Sequence, residues 1–418
     1  FFYIVASFFR ATSKSLVTAV FRGVLCHAWT SSCPFQLHPH HSPMDKLPTR
    51  LARAGTEPDP ETGAVSPPIH LSSTFARTVE GEPTGGYVYS RLDNPTRRRL
   101  EEALADAEGG RHARAFASGM AAAMSLFQAL DPGDHIILPH DIYFGVRALA
   151  TGPFKRWGLD VSHIDMSNAA SLEAAFKPTT RLVWIESPSN PLLTITDIAA
   201  VSELAHHHEA HVVVDNTWPS PALTRPIEHG ADIVLHSVTK YLGGHSDVLG
   251  GALVFAKEDD LFSRVVEIQR EAGAVLDPFS SWLTLRGMRS LIPRITHQCN
   301  SALQLATWLD SHKAVEAVHY PGLPSHPSHD TARRQMSAFG GMLSFRVHGG
   351  KMAALDLVRT SRLFTNATSL GGTESLMEHR ASAEGDGSTT PENLLRVSVG
   401  LESVDDLQDD LSQALDLI

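Results

Sequence analysis

The chain has 418 residues, 42% of them hydrophobic, with 35 Lys and Arg, 46 Asp and Glu, 23 His and three Cys. At roughly 150 residues per domain, that length suits two to three domains around a sizeable core. The net charge of −11 argues against nucleic acid or an anionic membrane as the main partner, and three cysteines exclude a disulfide framework and suggest a reducing compartment.

The charge is uneven along the chain. Residues 1–43 hold Arg10, Lys14 and Arg22 with no Asp or Glu, so 32 basic residues face 46 acidic ones from Met44 on, a balance of −14. A basic, Ser-containing, acid-free segment is what an organelle transit peptide looks like, and an over-extended gene model is the competing reading. Arg10 interrupts the apolar run that a secretory signal needs, and no run reaches the roughly 20 apolar residues of a membrane span. Residues 1–43 are therefore set apart from the fold, with a cytoplasmic enzyme expected, or an organellar one if the segment is a genuine transit peptide.

From Met44 the elements follow in order. Residues 45–90, rich in Pro, Gly and Thr, predict an irregular arm. Asn94-Pro95-Thr96 opens a helix, with Asn94 as cap and Pro95 at the first helical position. Leu100, Ala103, Leu104 and Ala107 continue it at helical spacing, and Gly109-Gly110 stops it. Short Val- and Ile-rich runs at 136–138, 182–185, 211–214, 232–236 and 252–255 read as buried strands. Helical patterns lie at 119–129, 197–207 and 258–271, and this alternation predicts an α/β domain with a mostly parallel sheet. One long helical stretch is expected over 280–311. A second unit follows, with strands near 342–347 and 394–399 and helices near 350–360 and 403–416, the last with a capping signal from Ser403 and Asp406. The expected divisions are the segment 1–43, an arm 44–90, a larger domain 91–285 and a smaller C-terminal domain 286–418.

Lys240 stands out as a candidate for chemistry. It lies just past the end of a buried strand, in a glycine-rich turn, where α/β sheets bind ligands. Partial desolvation and nearby cations there lower an amine's pKa and make it a nucleophile or base; on position alone, a solvated turn lysine is the plainer reading. Asp215 ends the preceding apolar strand. That position suits a turn former, and it also suits the carboxylate that keeps a pyridine nitrogen protonated beside a Schiff-base lysine. Ser118-Gly119-Met120 opens a helix whose amide groups suit an anion, and Ser237 and Thr239 add hydroxyls for a phosphate cup.

From about Met44 to the C-terminus, these residues resemble the cystathionine γ-synthase/γ-lyase family of Cys/Met-metabolism enzymes, which use pyridoxal 5′-phosphate (PLP). Separated motifs occur in the family's order. They are Tyr89-Ser90-Arg91 with Asn94-Pro95-Thr96, then Ser118-Gly119-Met120, Tyr143, Glu186-Ser187-Pro188-Ser189-Asn190-Pro191 and Asp215-Asn216-Thr217-Trp218. After these come Ser237-Val238-Thr239-Lys240, Ser369-Leu370-Gly371-Gly372 and Leu395-Arg396-Val397-Ser398-Val399-Gly400. The resemblance implies the aspartate aminotransferase-like fold (fold type I) of PLP-dependent transferases. It implies that Lys240 holds the cofactor and then shuttles protons, that Asp215 pairs with the pyridine nitrogen, and that Tyr143 stacks on the ring and assists as acid or base. Gly119, Met120, Ser237 and Thr239, with Ser118, would bind the phosphate, with Tyr89 and Arg91 reaching it from a neighbouring subunit of a homodimer or homotetramer. Arg396 would clamp the substrate carboxylate, and Asn190 and Ser369 would help hold cofactor and substrate. The reaction implied makes or breaks a C–S bond at Cγ or Cβ of an amino acid.

The sequence departs from the family on the substrate side. Thr368 stands where the γ-synthase and γ-lyase branches usually have glutamate, Phe144 where many members have glycine, and Glu378-His379-Arg380 in place of a Pro/Ala-containing segment. Cystathionine β-lyase, methionine γ-lyase and O-acylhomoserine sulfhydrylase activities therefore stay open, and a catalytically silent binding homologue is the reading from another class. No metal site is expected. His206, His207, His208 and His211 fall at a helix end without zinc-protease spacing, Cys299 reads as a packed thiol, and no G-x-G-x-x-G marks a nicotinamide site.

Overall fold

The computed structural model describes residues 46–385 and 388–418; the readings made for residues 1–43 lie outside them. The arm opens with a short helix, α1 (Leu47–Ala52), instead of irregular chain throughout. Pro48, in the first turn of this helix, has no N–H to leave unsatisfied there. Beyond it the arm is irregular, held by bridges such as Thr74 to Tyr89. Helix α2 (Pro95–Glu108) starts as its sequence predicts. Asn94 Oδ1 accepts from Thr96 N (2.9 Å) and Arg97 N (3.3 Å), and Gly109 ends the helix at φ 73°, a conformation that favours glycine.

Seven strands form the larger sheet: β1 (His112–Phe116), β2 (His135–Pro139), β3 (Asp160–Ile164), β4 (Thr180–Glu186), β5 (His211–Asp215), β6 (Ile233–His236) and β7 (Gly251–Phe255). Their order is β1-β7-β6-β5-β4-β2-β3, and β7 alone runs antiparallel to its neighbours. The central strands are apolar on both faces because both faces are covered. Leu182 and Trp184 of β4 pack with Phe127 of α3 (Gly119–Gln128), while Val183 and Ile185 pack with Ile198 and Val201 of the helix Ile198–His207. Each such fully buried aliphatic side chain contributes about 1.5–3 kcal/mol.

The second sheet is antiparallel, in the order β10-β11-β9-β8, from β8 (Val315–His319), β9 (Met342–Val347), β10 (Leu376–His379) and β11 (Leu394–Ser398). Strands β1, β3, β8 and β10 lack the apolar runs that mark the others; β3 and β8 are edge strands mixing Asp, Ser, His and Glu among their apolar residues.

Two further local expectations are corrected. The stretch 280–311 is two helices, Pro278–Met288 and Leu291–Asp310. Pro293 has no N–H to give and its ring would clash with the carbonyl of residue 289, so the chain breaks there and restarts. Arg294 crosses the break and donates from Nη2 to Gly287 O (2.8 Å) and Tyr241 O (2.9 Å). Ser403 precedes the last helix, Val404–Leu415, without a side-chain cap; Asp405 and Asp406 place negative charge in its first turn instead. Among the described residues no helix is long and apolar enough to cross a membrane.

Candidate active site

A cavity of about 300 Å³ opens at the C-terminal ends of β4, β5 and β6, where a mostly parallel sheet offers its ligand crevice. One end is the start of α3. Ser118 accepts from Ala121 N through Oγ (3.0 Å) and from Ala122 N through its carbonyl (3.1 Å). The amides of Gly119 and Met120 have no partner within the helix. The backbone here is tightly seated. A Cβ on Gly119 would stand 3.1 Å from Ser237 Cβ, and one on Gly251 would stand 2.2 Å from Ser118 O. Ser237 and Thr239 line the same end; Ser237 N donates to Thr217 Oγ1 (2.9 Å), and Gly250 N to Thr239 Oγ1 (3.0 Å).

The floor carries two carboxylates. Asp215 of β5 lies directly opposite Glu186 of β4 in parallel register. Burial raises the Asp215 carboxyl above the usual range, against the Thr217 hydrogen bonds that lower it. Glu186 is pushed well above its ordinary value by burial and then by Asp215, although its Oε2 accepts from Tyr143 N (2.8 Å). Two carboxyls this close and out of water resist ionising together, and a positive charge at the cavity floor would favour their charged forms. Tyr143 precedes α4 (Phe144–Leu149); burial raises its phenol and Arg380 draws it back down. Its ring centroid lies 4.8 Å from that of Phe144.

Lys240 Nζ donates to Ser369 Oγ (2.7 Å). Burial, then Arg396, lowers its ammonium to about 8. Ser369 sits at φ 89°, a left-handed conformation uncommon for a non-glycine residue. Its carbonyl accepts from Arg396 Nη2 (3.1 Å), so one serine ties the amine to the guanidinium. Gly371, at φ 76°, lets this loop lie on Tyr241, since a Cβ there would stand 2.8 Å from Tyr241 N. Arg396 Nη1 also donates to Asn190 Oδ1 (3.1 Å). Arg396 is almost wholly buried, and desolvation brings it down to about 10.

Ser118, Gly119, Met120, Tyr143, Asn190, Asp215, Ser237, Thr239, Lys240, Ser369 and Arg396 thus all line one cavity. Tyr89 and Arg91 do not. Tyr89 lies exposed near the end of the arm, and Arg91, just past that end, donates from Nη1 to Arg270 O. Glu186 carries no local signal of a role; its place beside Asp215 depends on strand register. Glu378 and Arg380, noted in sequence only as departures, hold Arg396: Arg396 Nη2 pairs with Glu378 Oε1, which also accepts from Arg380 Nη1 (3.0 Å). The histidines of 206–211 have other partners. His206 Nε2 meets Asp232 Oδ2 at 2.8 Å, and His208 stacks on Phe176.

The donor set fits PLP. Orphan amides and hydroxyls suit its phosphate, a buried carboxylate suits its pyridine nitrogen, and a lowered amine suits its aldehyde. The family model for the Cys/Met metabolism PLP-dependent enzymes matches residues 48–416. Cystathionine gamma-synthase of Mycobacterium leprae is 48% identical over 382 residues, covering 90% of this chain and 98% of that protein. Cystathionine beta-lyase of Coxiella burnetii is 43% identical over 378 residues, covering 88% and 97%. The crystal structure of metB from Corynebacterium glutamicum gives a TM-score of 0.87 at 42% identity, covering 90% of this chain and 98% of that one. Motif order, site geometry and these likenesses agree: the chain belongs to the Cys/Met metabolism PLP-dependent enzymes.

Proposed function

We propose that the protein catalyses γ-replacement, joining a thiol such as cysteine to Cγ of an O-acylhomoserine with loss of the acyloxy group. The observation that carries an amino-acid reaction is the Lys240–Ser369–Arg396 chain of hydrogen bonds facing Asp215 and Tyr143 across one cavity. The γ-synthase branch rests on the higher identity to γ-synthases than to β-lyases. β-Elimination from cystathionine is the second reading, favoured by the 43% identity to a β-lyase over nearly the whole of that protein.

In this reading, the α3 amides with Ser118, Ser237 and Thr239 hold the phosphate, and Lys240 Nζ holds the aldehyde carbon. Asp215 keeps the pyridine nitrogen protonated. Bound there, PLP supplies a conjugated ring that stabilises negative charge at the substrate α-carbon. Arg396, steadied by Asn190 and Ser369, takes the substrate carboxylate. Once displaced by the substrate amine, Lys240 Nζ removes the α-proton and returns it later, a role suited to an amine near 8. Tyr143, between Arg380 and Glu186, protonates or deprotonates groups at the leaving side.

The arm 44–90 crosses to a second copy in this reading, bringing Tyr89, and Arg91 just past its end, to that copy's phosphate, while 91–285 otherwise carries the cofactor end and 286–418 the carboxylate clamp. Product analysis tests the assignment. Cystathionine formed from an O-acylhomoserine and cysteine supports it. Homocysteine with pyruvate from cystathionine selects the β-lyase. No turnover of cystathionine, O-acetylhomoserine, O-succinylhomoserine or methionine overturns both. Light scattering that gives a monomer would remove the shared site.

A further inference from the structure

The carboxylate clamp contains a second guanidinium. Glu378 of β10 lies directly opposite Arg396 of β11 in antiparallel register. Its Oε1 takes Arg396 Nη2 and Arg380 Nη1 together, the latter at 3.0 Å. Arg380 Nε reaches Glu384 Oε1 at 3.1 Å, and Glu384 also accepts from Thr390 Oγ1 at 2.8 Å. Arg380 is 3% exposed and lines the cavity, with Cζ 5.5 Å from the Phe144 ring. Its Nη2 and Glu378 Oε2 are buried without a hydrogen-bond partner among the described residues. The pair is therefore not satisfied by its surroundings as a purely structural ion pair would be.

The charges decide what Arg380 does. Two arginines and two glutamates make this corner neutral, and a substrate carboxylate adds one negative charge. Without Arg380, Glu378 would belong to Arg396 alone, and the corner would carry −1 before the substrate arrived. At low local dielectric that difference is large. We propose that Arg380 is a positioning residue for substrate binding: by sharing Glu378 Oε1, it keeps Arg396 in place and leaves it able to accept a second carboxylate. This rests on the reading that Arg396 binds the substrate carboxylate.

The test is titration of the PLP-loaded enzyme with glycine, an amino acid with a carboxylate and no leaving group, followed by the visible absorption band, beside steady-state kinetics. Arg380→Met should raise the glycine Kd and the substrate KM at least tenfold, with a smaller change in kcat. Arg380→Lys should recover most of the affinity. Arg380→Met combined with Glu378→Gln restores a neutral corner and should regain at least threefold over Arg380→Met alone, which a merely structural role would not produce. Should the single variant fail to fold, the double variant and Arg380→Lys carry the comparison. The proposal is overturned if Arg396→Ala loses glycine affinity while Arg380→Met stays within twofold of wild type, or if Arg380→Lys or the double variant loses as much affinity as Arg396→Ala. If Arg396→Ala itself keeps its affinity, the underlying reading fails instead.

Discussion

Replacing Lys240 by methionine in cofactor-free protein should make the fold more stable at neutral pH, because this amine is held for chemistry at the expense of stability. Burial and Arg396 bring its ammonium from 10.5 to about 8. At about 1.4 kcal/mol per pH unit, the charged side chain costs the folded state about 3 kcal/mol. Methionine also loses the Nζ–Ser369 Oγ hydrogen bond (2.7 Å), which offsets about 1 kcal/mol. The expected net gain is about 2 kcal/mol at pH 7. The sign depends on pH. Below 8, the lysine is charged in folded and unfolded chains alike and the whole penalty stands. Between 8 and 10.5 the folded amine is neutral while the unfolded one is still charged, so the wild type gains stability as pH rises. Above 10.5 the penalty is gone and the methionine variant is the weaker fold. Urea unfolding of both proteins at pH 7 and pH 10, after removal of PLP, measures this. A gap that does not change with pH, or a variant already weaker at pH 7, refutes the account of Lys240.

Three further perturbations have defined outcomes. Asp215→Asn should lower kcat by about 100-fold or more, as removal of a preorganised charge partner does. With PLP removed, it should stabilise the fold at pH 7 but not at pH 3, because a raised carboxyl begins to cost the fold as pH climbs past its ordinary value of 3.8, and the cost is complete at its folded-state value. Thr368→Glu puts a carboxylate into the cavity. It should lower KM for cystathionine, with its distal ammonium, by about tenfold, and raise KM for O-succinylhomoserine, whose acyl group ends in a carboxylate. Gly251→Ala places a Cβ 2.2 Å from Ser118 O and 2.6 Å from Gly119 N. It should cost about 1–3 kcal/mol in thermal unfolding and speed loss of PLP on dialysis, since the displaced backbone is the start of α3.

The parts of the site legible in sequence are those whose chemistry is local. Lys240 sits three residues beyond Ser237, and Asp215 closes an unbroken apolar run, so strand ends and turn residues place them without tertiary information. Asn94 and Gly109 likewise delimit α2 by backbone chemistry alone. Glu186 beside Asp215 and Glu378 opposite Arg396 depend on which strands pair and in what register, and a shift of one residue would turn each side chain to the other face. The left-handed Ser369 was equally hidden, since its motif shows glycines where backbone freedom is expected and the strained residue is the serine before them. The break at 289–290 had a visible cause in Pro293, outweighed by the apolar spacing on either side of it.

The two ends of the cavity are far apart along the chain, and this sets an order on the ribosome. Residues 118–240 supply the α3 amides, both floor carboxylates and the amine; Ser369 and Arg396 come more than a hundred residues later. At about 5–20 residues per second, β11 emerges roughly ten to thirty seconds after Lys240. A nascent chain therefore has time to assemble the seven-stranded sheet before its carboxylate clamp exists. A ribosome-stalled chain ending near residue 310 should be labelled at Lys240 by PLP and borohydride, and absence of labelling would show that the later strands are needed first. If that labelling is seen, vectorial synthesis separates acquiring a reactive aldehyde from learning to discriminate among amino acids.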